Sequence, residues 1–213
     1  MPDLMPIPDS DFTLGTFRDF MTDWLNRTDI STQQANMIIK RGLARCQRDL
    51  RLAQMERDLT VQATAGTPIQ SIPIPADFLI MRQVEADNTS CQPVSYAHLL
   101  RLPKQPGRGA VFARNEGDIL FRPYPQSYAR LVYYAKFQPL NADTDSNELL
   151  ALSPECLLFA CLSYAANFFA MDQEANFEQR YQQEVTTLNN VNQEMDTLGG
   201  PTAVQPATGY FWA

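Results

Sequence analysis

The 213-residue chain is poor in the residues that carry chemistry. Histidine occurs once, as His98, with no cysteine or histidine at ligand spacing, so no zinc-type metal site is expected. Cysteine occurs four times, as Cys46, Cys91, Cys156 and Cys161, and no two form a CxxC pair. Cys156 and Cys161 are five apart and fall on different faces of a helix. With no signal peptide at the N-terminus, all four read as reduced, mostly buried thiols of a reducing compartment. HExxH, GxSxG and P-loop patterns are absent, and Gly107-Arg108-Gly109 is too short for a phosphate-binding fingerprint. No catalytic residue and no cofactor are expected.

Positive charge is also missing where the chain is most acidic. After residue 138 the only basic residue is Arg180, against ten acids, a net of −9. Residues 57–138 have a net of +3 and residues 1–56 a net of −1, giving −7 overall and a sequence pI of about 4.7. Such a balance excludes a protein whose whole surface grips nucleic acid. The opposite signs of the middle and C-terminal segments suit subunits that meet head to side.

Long apolar runs are limited to one stretch, residues 153–171, SPECLLFACLSYAANFFAM. Ser153 suits an N-cap, Pro154 the first helical position and Glu155 the positive end of the dipole. A helix apolar on every side is a buried helix, and this one is expected to be the rod on which other helices pack. Ser163, Tyr164 and Asn167 interrupt the run and no basic cluster flanks it, so a membrane span is disfavoured.

Around this rod the chain reads helix, helix, β insertion, helix, helix, tail. Residues 1–10 form a proline-rich extended arm. Helical spacing over 13–27 and 31–54 gives two helices, the second with Ser31 as N-cap. Its apolar arc holds Ala35, Ile39, Leu43, Cys46, Leu50 and Ala53, and its opposite arc Lys40, Arg41, Arg45, Arg48 and Arg51. Residues 57–138 read as about six short strands at even spacing, with a short helical turn at 96–102 and a mobile, basic loop at 103–109 carrying Lys104 and Arg108. A last helix over 175–198 has an apolar stripe broken by Glu184, and Gly199-Gly200-Pro201 ends it. The tail, 199–213, closes on Tyr210, Phe211 and Trp212, which are expected to dock on this subunit or, the favoured reading, on a partner.

The predicted fold class is therefore α+β: a discontinuous bundle of about four helices, from 11–56 and 139–198, with a small antiparallel β-sandwich or barrel inserted at 57–138. Asp143 and Asp145 sit in a turn and read as helix-start chemistry rather than a catalytic pair. Glu184 is the one carboxylate expected to be perturbed. The basic face of the second helix is a solvated surface or a contact with acids of a neighbouring subunit's last helix. The subunit-contact candidates are Lys40, Arg41, Arg45, Arg48, Glu178, Glu184 and Glu194.

The order of these signals resembles the head–tail connector (adaptor) proteins of tailed bacteriophages. Four stretches carry the likeness: IPIPADFL at 72–79, GDILFRPYPQSYARLVYYAKFQPLNADTDSNELL at 117–150, SPECLLFACLSYAANFF at 153–169, and the polar FEQRYQQEVTTLNNVNQE helix at 177–194. It covers roughly residues 10–198. The resemblance implies a structural virion protein, made in the host bacterial cytoplasm, whose copies, usually twelve, form a ring beneath the portal. Such a ring extends the channel for genomic DNA, without sequence-specific binding, and presents a platform to tail or nozzle proteins. On that reading Tyr210, Phe211 and Trp212 anchor to the portal, and Lys104 and Arg108 face the tail. The alternative from another class is a tail-associated cell-wall lytic enzyme, with Glu184 or Glu155 as its carboxylate. A third is a soluble host protein with a helical interaction domain.

Overall fold

A computed structural model of the chain describes residues 12–64 and 66–198, with side chains as far as Asn192. In chain order the helices are α1 (Leu14–Leu25), α2 (Thr32–Asp49), α3 (Tyr96–Arg101), α4 (Glu148–Leu152), α5 (Pro154–Phe168) and α6 (Glu174–Leu198). The strands are β1 (Glu56–Gln62), β2 (Ser71–Pro73), β3 (Phe78–Ala86), β4 (Thr89–Ser90), β5 (Gln92–Pro93), β6 (Val111–Asn115), β7 (Asp118–Arg122) and β8 (Tyr128–Ala135). The class is α+β. Six helices are described where about four were expected, because the turn at 96–102 and the segment before Ser153 each close a short helix of their own. The described residues group into two compact units, those up to Phe20 with Leu52–Pro154, and Met21–Arg51 with those from Glu155 on.

The first unit holds two four-stranded sheets, in the orders β1-β8-β3-β4 and β2-β7-β6-β5. Pairing is antiparallel except between β5 and β6. In β8 the residues Ala129, Leu131, Tyr133 and Ala135 are buried while their neighbours are not, the period-two alternation of a strand with one face inward. They share one apolar core with Ile72, Ile119 and Phe121 of the other sheet, which is sandwich packing.

Turns set the registers. Asp87 and Asn88, at φ 49° and 61°, make the two-residue loop between β3 and β4. The Asp87 carboxylate accepts the N–H groups of Gln126, Ser127 and Tyr128 at 2.8–3.2 Å. Burial raises its pKa, but those N–H groups together outweigh burial and leave it below the usual carboxylate range.

Residues 14–20 and 139–154, assigned from the sequence to the helical part, group with the sheets. Hydrogen bonds explain this. The orphan N–H groups at the start of α1 reach carbonyls of the 143–145 turn: Leu14 donates to Asp145 O at 2.8 Å and Gly15 to Asp143 O at 2.9 Å. Arg18 grips the Asp143 carboxylate with both Nη atoms at 2.9 and 3.0 Å, and the Asp145 carboxylate accepts from the N–H of Asn141 and Ala142. Asp143 and Asp145 are helix-start residues, and the helix they start is α1.

In the second unit α5 is the rod. Ten of its 15 residues are buried, as a stretch apolar on every side requires. No helix among the described residues is long and apolar enough to cross a membrane. Ser31 caps α2 in a full capping box with Gln34. The helix stops at Asp49 rather than near Gln54. Asn189 of α6 is the cause: its amide donates to Asp49 O and accepts the Arg51 N–H, both at 3.0 Å. The Arg51 guanidinium takes the Gln47 and Leu50 carbonyls, serving two more acceptors at the end of α2.

Gly42 lets α2 and α5 approach closely. A Cβ there would meet Cys161 Sγ at 2.5 Å and its backbone N at 3.3 Å. Cys46, Cys91, Cys156 and Cys161 are all free and buried.

Candidate assembly surfaces

The strongest polar cluster of the second unit centres on Arg45. Its guanidinium holds Glu178 of α6 in a fork, Nη1 to Oε2 at 2.7 Å and Nη2 to Oε1 at 2.5 Å. Ser163 Oγ and Gln182 Nε2 donate to the same carboxylate at 2.9 Å. Asp49 lies 3.7 Å from Arg45 Nε, and the guanidinium stacks over the Tyr181 ring at 4.1 Å. The hydroxyl of Tyr181, a buried residue of the α6 apolar stripe, donates to Asp49 at 2.8 Å. Arg45, with Gln182 and Ser163, holds the Glu178 carboxyl down to about 2 against the opposing effect of burial. The same pairing keeps Arg45 above its ordinary value.

Arg45 and Glu178, both subunit-contact candidates from the sequence, meet each other inside one chain. Their spacing, 133 residues, hid the pairing from sequence reasoning. Lys40, Arg41 and Arg48 differ: all three are exposed. Lys40 and Arg41 line a groove of about 780 Å³ along α2, together with Thr32, Met37 and Ala44. Met37 is 43% exposed there, an apolar spot one helical turn before the two cations.

Glu184 is half-buried, and burial, with the nearby Glu155 charge second, raises its carboxyl pKa. Glu155 itself is exposed. A raised carboxyl beside a second acid is what the lytic alternative asks for, but neither residue lines either groove described here. Glu194 lies on α6, and its side chain is outside the described residues, as are Tyr210, Phe211 and Trp212. His98 is exposed on α3, where its backbone N–H meets the Ser95 cap at 3.2 Å. Among the described residues no three His, Cys, Asp or Glu side chains are grouped to hold a metal.

In the first unit Lys104 and Arg108 are exposed on the loop after α3. This loop is tied to the Pro123-Tyr124-Pro125 stretch. Tyr124 donates to Gln105 O at 2.9 Å and Gly107 to Tyr124 O at 3.1 Å. Arg122 is buried, donates to Phe121 O at 2.7 Å and stacks 4.4 Å from the Tyr124 ring centre. A second groove, of about 760 Å³, runs along residues 78–84 of β3 and 112–114 of β6. Sequence reasoning missed it, along with the Asn189 clamp and the Ser163 hydroxyl, because each is assembled from residues far apart in the chain.

The two units thus present cations along the exposed face of α2 and a basic loop on a tied base. No curated protein matches the chain. A family model described as SU10 adaptor protein matches residues 12–205, taking in every helix and strand above and reaching past residue 198, where the resemblance read from the sequence stopped. The chain belongs to the SU10 adaptor protein family, and is a phage adaptor protein with a structural role in the virion.

Proposed function

We propose that copies of this chain form a closed ring between the portal and the tail, extending the DNA channel and giving tail proteins a docking platform. The match over residues 12–205 carries this reading, because it spans both units rather than one. The physics agrees with it. A rigid helical unit with a buried rod repeats well around an axis, and a β unit with its own core offers a second surface. The scarcity of bases after residue 138 suits a channel wall that does not hold DNA.

Within the ring, Lys40, Arg41 and Arg48 face acids of the next copy, Glu184 and Glu194 first among them. Arg45 and Glu178 serve the fold of each copy. Tyr210, Phe211 and Trp212 anchor the tail of the chain in a portal cleft. Lys104 and Arg108 lie on the tail side.

The test is mass measurement and electron microscopy of the chain with its cognate portal, full-length and truncated after Gly200. Rings on the portal from the full chain alone bear out both the ring and its anchor. Binding by both forms removes the anchor role from the aromatic tail, and binding by neither removes the ring.

A further inference from the structure

The groove on the first unit is lined by seven consecutive residues of β3, 78–84, and three consecutive residues of β6, 112–114, with Ser90, Pro93 and Val94. Consecutive lining identifies what faces the groove. Side chains alternate across a strand, so a groove against a sheet face meets every second residue. A groove that meets every residue lies along a strand edge or where alternation is broken, and β3 offers both, since its register with β8 shifts between Phe78 and Ile80 and between Met81 and Gln83.

The pairing agrees. β3 bonds to β8 on one side along its length, but on the other side β4 pairs only with Glu85 and Ala86, and Cys91 N–H reaches Val84 O. Among the described residues, pairing on that side goes no further toward Phe78. β6 is likewise covered by β5 only at Val111 and Phe112, with Val94 N–H on Phe112 O. An exposed edge of this length is a template for another strand.

We infer that the β3 edge takes residues 1–11 of a neighbouring copy, MPDLMPIPDSD, as an added strand. Only the choice of a neighbour as donor rests on the ring reading. Two features of the arm fit it to this edge. Its prolines are Pro2, Pro6 and Pro8, all at even positions. In a strand paired on one side, residues of one parity direct N–H and C=O to the partner and those of the other parity direct them away. Asp3, Met5, Ile7 and Asp9 then supply every bond to β3, and each missing proline N–H faces away, the placement proline requires in an edge strand. Charge is the second feature. The arm has Asp3, Asp9 and Asp11 and no base, while the groove lining has no acid and offers the Arg114 guanidinium, which lies 5.4 Å over the Phe78 ring. Arg82 also lines the groove but is paired with Glu56 of β1.

The experiment is hydrogen exchange of the dilute full-length chain, with and without excess synthetic peptide of residues 1–11. Those amides of residues 79–83 that do not bond β8 are expected to exchange fast alone and at least tenfold slower with the peptide. Peptides N-methylated at Met5 or Ile7 should give no slowing, and one N-methylated at Leu4 should act like the parent. No slowing, slowing indifferent to the methylated position, or an edge already slow without peptide overturns the inference. Portal binding is read separately, so loss of the ring reading and loss of this strand addition are told apart.

Discussion

Replacing Arg45 with alanine should destabilise the isolated chain, while the same change at Arg41 should not. Arg45 is only 15% exposed and gives Glu178 a two-pronged contact. Its removal leaves the carboxylate with Ser163 and Gln182 and uncovers the Tyr181 ring. Charged hydrogen bonds contribute about 1.5–3 kcal/mol each to such sites, and breaking a buried pair by deleting one partner costs about 3–5 kcal/mol. Glu178 is 37% exposed, and solvent screening lowers the figure, so Arg45→Ala should cost roughly 2–3 kcal/mol. Arg41 is exposed, and Arg41→Ala should stay within about 0.5 kcal/mol. Urea denaturation of both, of Glu178→Ala and of the Arg45/Glu178 double variant gives the coupling, expected at about 1–2 kcal/mol. The pH dependence adds a signed check. The folded Glu178 carboxyl, at about 2 against its ordinary 4.5, contributes stability that is full above about pH 4.5 and is lost as pH falls toward 2. The difference between wild type and Glu178→Gln should shrink across that window. A coupling under about 0.5 kcal/mol, or equal costs at Arg45 and Arg41, refutes the intrachain assignment.

Other outcomes follow from the same packing. Charge reversal at Lys40 and Arg41 together should leave the urea midpoint of the monomer in place and impair ring formation on the portal; unimpaired rings exclude those residues from the subunit contact. Gly42→Ala gains helix propensity of about 1 kcal/mol but drives a methyl into Cys161, so thermal unfolding should show a net loss of roughly 1–3 kcal/mol. Asn189→Ala removes both of its own bonds to the end of α2 and should cost about 1–2 kcal/mol. Burial pushes the Cys91 thiol up to about 11, burial likewise raises Cys161, and the adjacent Cys46 thiol with burial raises Cys156. These three should resist a thiol reagent at pH 8 until denaturant is added.

The sequence by itself determined the elements whose cause is local. Ser31 and Gln34 start α2 through bonds three residues apart, and the all-round apolar stretch after Pro154 can only be a buried helix. The family resemblance was legible for a similar reason, since it lay in the order of such local signals. Tertiary structure alone decided the rest. Asn189 stops α2 five residues early, and no feature near Gln54 announces it. The 143–145 turn starts α1, more than a hundred residues earlier in the chain, and so draws residues 14–20 to the sheets. Arg45 looked like one cation among five on a helix face until α6 brought Glu178 beside it. Hydrogen bonds and ion pairs act over a few ångströms of space whatever the separation along the chain. A pattern read within one segment finds the groups that can make them but not the partners they choose.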